Sequence, residues 1–145
     1  MNFKRILIAV DDSVYGAHAA NTGIAMATAM GAEVAFVSVV DPSFVAGNSD
    51  SGVSADQLLS IAEREAKDLL VAYRERAKTS PPALEFLERG KPAVKIVAVA
   101  KAWPADLIVI GTHGRGTVGR LLLGSVAEGV LHHAHCPVVI VRGEL

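Results

Sequence analysis

Ile6 to Val10, Leu107 to Ile110 and Val138 to Val141 are among the stretches of this chain that are apolar without a break. Runs this short, stopped by polar residues or glycine, predict strands rather than helices, and an unbroken run marks a strand buried on both faces of a parallel sheet. Asp11-Asp12-Ser13 ends the first run and Gly111 the second. A further strand is predicted from about Val34 to Val40, ending at Asp41-Pro42, and a short, poorly alternating one around Leu84 to Leu87. Between these the period changes to that of a helix. Ser13 is an N-cap for a helix whose small and apolar residues recur at Ala17, Ala20, Ile24, Ala27 and Met30, up to a left-handed Gly31. Ser54-Ala55-Asp56-Gln57 is a capping box, followed by one face marked by Leu58, Ala62, Ala66, Leu69 and Tyr73, with the charges on the other, solvated face. Pro92 opens a third helix, with Ala93, Ile96, Val97 and Ala100, that ends near Trp103-Pro104. Ser125 caps a fourth, Val126 to His133. The Gly, Ser, Asn and Asp of Ser43 to Val53 predict a mobile loop.

Strict strand-helix alternation predicts an α/β fold: a doubly wound, five-stranded parallel sheet with right-handed crossovers and helices on both faces, for which the order 3-2-1-4-5 is expected. Such sheets bind ligands beyond the carboxyl ends of their strands where the order reverses, here between the first and fourth strands. Asp11 and Gly111 end those two strands, so topology brings the acidic turn and the glycine loop to one crevice. Composition fits this picture. With 51% hydrophobic but only 5% aromatic residues, the core is one of Val, Ile, Leu and Ala. The 145 residues are expected to form a single domain, 1–145, with one core, and no internal repeat is visible. A net charge of −1 argues against a broad nucleic-acid or anionic-membrane surface. The single cysteine excludes an internal disulfide and fits a reducing compartment. No apolar run approaches the roughly 20 residues of a membrane span. Met1 to Arg5 lead straight into a strand rather than a signal peptide, so a soluble, cytoplasmic protein is expected.

The candidate chemistry lies between Asp106 and Ser125. Gly111-x-x-Gly114, then nine residues, then Gly124-Ser125 follows a buried strand and opens a helix. Glycines let backbone approach a polyanion, and a helix N-terminus offers free N–H groups and a favourable dipole, so the combination is suited to phosphate. Each glycine alone is equally well explained as a turn or helix-start residue, whereas for Asp11 the helix-entry reading is the less favoured one. Gly114 to Gly119 also spells G-x-G-x-x-G, but it follows the fourth strand and opens no helix at once, which argues against an NAD site. No G-x-x-x-x-G-K-[ST] loop is present. His132, His133, His135 and Cys136 suggest a metal, yet their spacing matches no standard zinc pattern and the first two suit a helix C-terminus. A nucleophilic Cys136 is less favoured still. His18 is expected on a helix face, and His113 either touches phosphate or is solvated.

With that spacing the chain resembles the universal stress protein family, in the ATP-binding branch marked by G-2x-G-9x-G-(S/T). The resemblance runs from ILIAVDDS through VSVVDP and RGKPAVKIV to ADLIVIGTHGRG, LLLGSVAEGVL and HCPVVIVR. It implies a Rossmann-like sheet of the adenine nucleotide alpha hydrolase kind. It also implies that Asp11 and Val39 flank the nucleoside, with Ala9 in the wall, that Gly111, Gly114 and Arg115 line a phosphate loop, and that Gly124, Ser125 and Val126 present N–H and hydroxyl groups to phosphates. Asp12 departs from the glycine found in many relatives and would repel phosphate unless it points outward or helps hold Mg²⁺. The implied function is an ATP-binding regulator or reservoir in stress response, with Mg²⁺ and little or slow hydrolysis, and a homodimer paired through Val138 to Val141. Alternatives of other classes are a slow ATPase and a dimeric interaction module without nucleotide, which the intact glycine spacing argues against.

Overall fold

A computed structural model describes residues 2–47, 52–113 and 123–143. Its elements are β1 (Arg5–Ala9), α1 (Val14–Met30), β2 (Glu33–Val40), α2 (Pro42–Gly47), α3 (Ala55–Ala77), β3 (Leu84–Arg89), α4 (Pro92–Ala102), β4 (Leu107–Gly111), α5 (Ser125–His133) and β5 (Val138–Val141). Every strand pairing is parallel. The sheet order is β3-β2-β1-β4-β5, the order expected.

Both faces of the sheet are covered, which is why its central strands read as unbroken apolar runs. Ile6, Ile8, Phe36 and Val109 point to one face, under α1 and α3. Leu7, Ala9, Val37 and Ile110 point to the other, under α4 and α5. In the middle, Ile8 pairs with Phe36 on one side and Val109 on the other. The small-residue face of α1 is what lets it lie close: a Cβ at Gly23 would stand 2.5 Å from Ile8 Cδ1. Its caps are those predicted, Ser13 Oγ accepting the Gly16 N–H at 3.2 Å and Gly31 at φ 65°. The Ser54–Gln57 capping box at the start of α3 also forms in both directions.

Two local expectations are corrected. The stretch expected to be a loop from Ser43 begins inside a short helix, α2. Asp41 starts it, its Oδ1 accepting the Ser43 N–H at 2.9 Å and its carbonyl the Val45 N–H at 3.1 Å, with Pro42 at the first helical position. The Asp-Pro pair is therefore a helix start as well as a strand stop. Residues 48–51 lie outside the described residues. The second correction is that Ser125 is the first residue of α5 and Gly124 its N-cap, at φ −64° and ψ 154°. Gly124 is fixed there by its own backbone, donating its N–H to Thr112 O at 2.8 Å and accepting the Glu128 N–H at 2.9 Å.

The charged face of α3 is not simply solvated. Glu85 on β3 receives both Lys67 and Arg74, and Arg89 pairs with Glu63. No helix among the described residues is long and apolar enough to cross a membrane.

Candidate functional site

Beyond the carboxyl ends of β1, β2 and β4 the chain leaves a cleft of about 360 Å³, within the range of small-ligand sites. It lies at the reversal of strand order. Ala9, Asp11, Val39, Gly111, Ser125 and Val126, separated by up to 117 positions in sequence, all line it. Gly124 sits immediately before the lining residues of α5 without lining the cleft itself. Gly114 and Arg115, with the rest of the G-x-G-x-x-G stretch, lie outside the described residues.

Each wall follows from a local cause. Asp11 Oδ1 accepts the Ser13 N–H at 3.0 Å and also the Ser13 hydroxyl, which in turn caps α1. The carboxylate thus has a structural role in the turn, whatever else it binds. Gly111 is buried, and a Cβ there would stand 2.7 Å from the Tyr15 carbonyl oxygen. A Cβ at Gly124 would lie 2.9 Å from Thr112 O and 3.1 Å from His113 Cα. At both positions glycine is required by the chain's own close approach and not by a left-handed backbone. His113 lines the cleft, its ring 5.2 Å from that of Tyr15 between centroids.

The N-terminal end of α5 opens on the cleft. Its N-cap is a glycine with no side-chain cap, so the first-turn N–H groups have no partner within the helix or from a cap. That end carries the positive part of the helix dipole and points unmatched donors at the space between Ser125 and Asp11. The acidic side chains of the lining have the opposite sign. Asp11, Asp12, Asp41 and Glu65 line the cleft, with no Lys or Arg among the described residues that do.

Composition and periodicity did not flag the residues on the α3 side. Ser38, Phe44, Ala62, Glu65, Ala66 and Leu69 line the cleft too. The readable signal was Ser38, the one hydroxyl within the apolar run from Val34 to Val40.

The histidines near the end of α5 are held by that helix: His133 Nδ1 lies 2.9 Å from Gly129 O and His132 Nε2 3.8 Å from Glu128 Oε1. Among the described residues no group of three His, Cys, Asp or Glu side chains is placed to hold a metal ion. Burial, with the Asp106 carboxylate adding to it, pushes the Cys136 thiol above its ordinary pKa, so the nucleophilic thiolate is suppressed.

The model of the universal stress protein family matches residues 2–142. A universal stress protein of Methanocaldococcus jannaschii is 38% identical over 142 residues, covering 97% of this chain and 82% of that one. Among solved structures, the universal stress protein UspA of Lactobacillus plantarum superposes with a TM-score of 0.83 at 27% identity, covering 98% of this chain and 99% of that one. A universal stress protein of Archaeoglobus fulgidus in complex with dAMP shares the fold, with a TM-score of 0.66 at 24% identity over 97% of this chain and 99% of that one. Matched from Asn2 to Arg142, with the sheet order and the reversal-point cleft that its sequence predicts, the chain belongs to the universal stress protein family.

Proposed function

We propose that this chain binds an adenine nucleotide, ATP with Mg²⁺, and acts as a nucleotide-dependent regulator or reservoir in stress response with little or slow hydrolysis. The observation that carries this is the uncapped N-terminus of α5 opening on a cleft that also holds Asp11 and Val39. Phosphates would take the first-turn N–H groups and the Ser125 hydroxyl, with Val126 beside them, Gly111 giving clearance and Gly114 and Arg115 continuing the loop. Asp11 would accept from ribose hydroxyls, and Ala9 and Val39 would flank the nucleoside. The Archaeoglobus fulgidus universal stress protein of the same fold, in complex with dAMP, supports this reading.

Four carboxylates, Asp11, Asp12, Asp41 and Glu65, line the cleft and would repel a bare polyanion. Mg²⁺ carried on the phosphates would neutralise part of their charge and lessen that repulsion. In this reading Asp11 holds the turn through Ser13 and the ribose, and no residue is given the task of activating water, so turnover is slow.

Calorimetric titration with ATP, ADP, AMP and adenosine, each with and without Mg²⁺, tests the proposal. Tightest binding by Mg²⁺-ATP, with adenosine weaker by at least roughly tenfold for want of charge-assisted contacts, is the expected result. Equal affinity for adenosine and ATP, or no binding of either, would reject it.

A further inference from the structure

Among the described residues three buried side-chain atoms have no hydrogen-bond partner: His18 Nδ1, Thr79 Oγ1 and His113 Nδ1. Of these three residues only His113 lines the cleft. A ring nitrogen closed off in this way has no acceptor to which an N–H could donate, and an orphaned N–H is costly. A neutral imidazole carries one N–H and one bare nitrogen, and the surroundings decide which is which. At His113 the bare nitrogen therefore belongs at Nδ1 and the proton at Nε2.

The ring is placed so that this donor has a use. A Cβ built on Gly124 would lie 3.1 Å from His113 Cα and 3.7 Å from its Cδ2. Cδ2 is bonded to Nε2, so the Nε2 side of the imidazole lies beside the N-cap of α5, where the first-turn N–H groups also lack a cap. Tyr15 backs the ring, its own ring tilted by 51° at 5.2 Å between centroids. Among the described lining residues His113 has the one side-chain N–H, and the four acidic side chains offer a phosphate only repulsion. We propose that His113 is a phosphate-binding residue, whose Nε2–H donates to the same phosphate as the first turn of α5 while Tyr15 fixes the plane of the ring. The role rests on the nucleotide reading above and occupies a side chain that reading leaves idle. With its one bare nitrogen closed off, the same ring offers no lone pair to Mg²⁺.

Two measurements test the role. Long-range proton–nitrogen NMR of the free full chain at mildly alkaline pH, with His113→Gln identifying the signals, should show His113 protonated at Nε2, and Mg²⁺-ATP should shift that nitrogen. In calorimetry His113→Phe, which keeps a ring against Tyr15 and loses the donor, should bind Mg²⁺-ATP more weakly by roughly tenfold, with adenosine affinity and thermal melts near wild type. His113→Gln, whose amide nitrogen reaches as far as Nε2, should recover most of that loss. A proton on Nδ1 in the free protein, full ATP affinity in His113→Phe, or an equal loss for adenosine and ATP would each overturn the role and leave the nucleotide reading standing. A wild type that binds neither ATP nor adenosine would reject both.

Discussion

Ser125 is the residue at which the needs of the helix and those of a phosphate can be separated. It is exposed, occupies the first position of α5, and faces the cleft. A carboxylate there suits the helix dipole by about 0.3–1 kcal/mol but would repel a bound phosphate. Ser125→Glu is therefore expected to leave the melting temperature unchanged or slightly raised while weakening Mg²⁺-ATP by roughly tenfold or more. Full ATP affinity in this variant would place the phosphates elsewhere. Gly124 is a poorer position for such a test, because a side chain there meets Thr112 O and His113 Cα before it meets any ligand. Gly111 has the same difficulty more severely. Its missing Cβ would meet the backbone oxygen of Tyr15 at 2.7 Å, an atom that cannot rotate away, so Gly111→Ala should cost about 1–3 kcal/mol in chemical denaturation.

The long helix α3 shows how one element serves both stability and the cleft. Its capping box satisfies two orphan groups at an exposed end, so Ser54→Ala should cost about 1 kcal/mol and leave ligand titrations unaltered. One turn of the same helix lies under the cleft, and Tyr73 further along stacks on Phe36 at 5.7 Å between ring centroids. Burial pushes the Tyr73 phenol above its ordinary value of 10.0; the Arg76 guanidinium opposes the shift and the Asp11 carboxylate adds to it. A group whose pKa is higher folded than unfolded contributes stability that is fully present below the unfolded pKa. That contribution is lost as pH rises through the folded value. Denaturant midpoints should therefore fall above about pH 10, and Tyr73→Phe should make that fall shallower. An identical alkaline profile in the variant would remove Tyr73 as its cause.

The two edges of the sheet differ in a way that bears on assembly. The outer strand β3 carries Glu85, Glu88 and Arg89, and ion pairs to α3 cover part of it, which blunts it against further pairing. The other edge, β5, is four apolar residues with no charge. Ile108 donates to Pro137 O and Thr112 to Val141 O, both at 3.0 Å, so the backbone groups of the alternate residues Val138 and Ile140 face outward. A homodimer joined through Val138 to Val141 would pair those groups and cover the half-buried side chains. Sedimentation at micromolar concentration should give the mass of a dimer. Ile140→Pro removes an outward N–H and no bond to β4, so it should give a folded monomer with a melting temperature a few degrees lower. A wild-type monomer would reject the dimer outright.

Local pattern was enough for most of the architecture. A buried parallel strand must be apolar on both faces and a covering helix on one, so Ile6 to Val10 and the Ala17 to Met30 series announced their roles, and their alternation implied a parallel, doubly wound sheet for which the observed order was the expected one. Asp11 and Gly111 could be placed at one crevice because that order decides which strand ends meet. Three things were decided only by packing across the chain. Asp41-Pro42 is both a strand stop and a helix start, and α2 forms where composition alone predicts a loop. Gly111 and Gly124 are spaced as a phosphate motif would space them, yet the atoms that exclude a side chain there are Tyr15 O and Thr112 O. The α3 wall of the cleft, where Ala62 and Ala66 line the same space as Ser38, joins residues from two elements that share no local signal. Periodicity says which face of a helix is buried, because that depends on residues a turn apart; it cannot say whether the face meets a side chain or an empty space, because that depends on what the strand beneath presents.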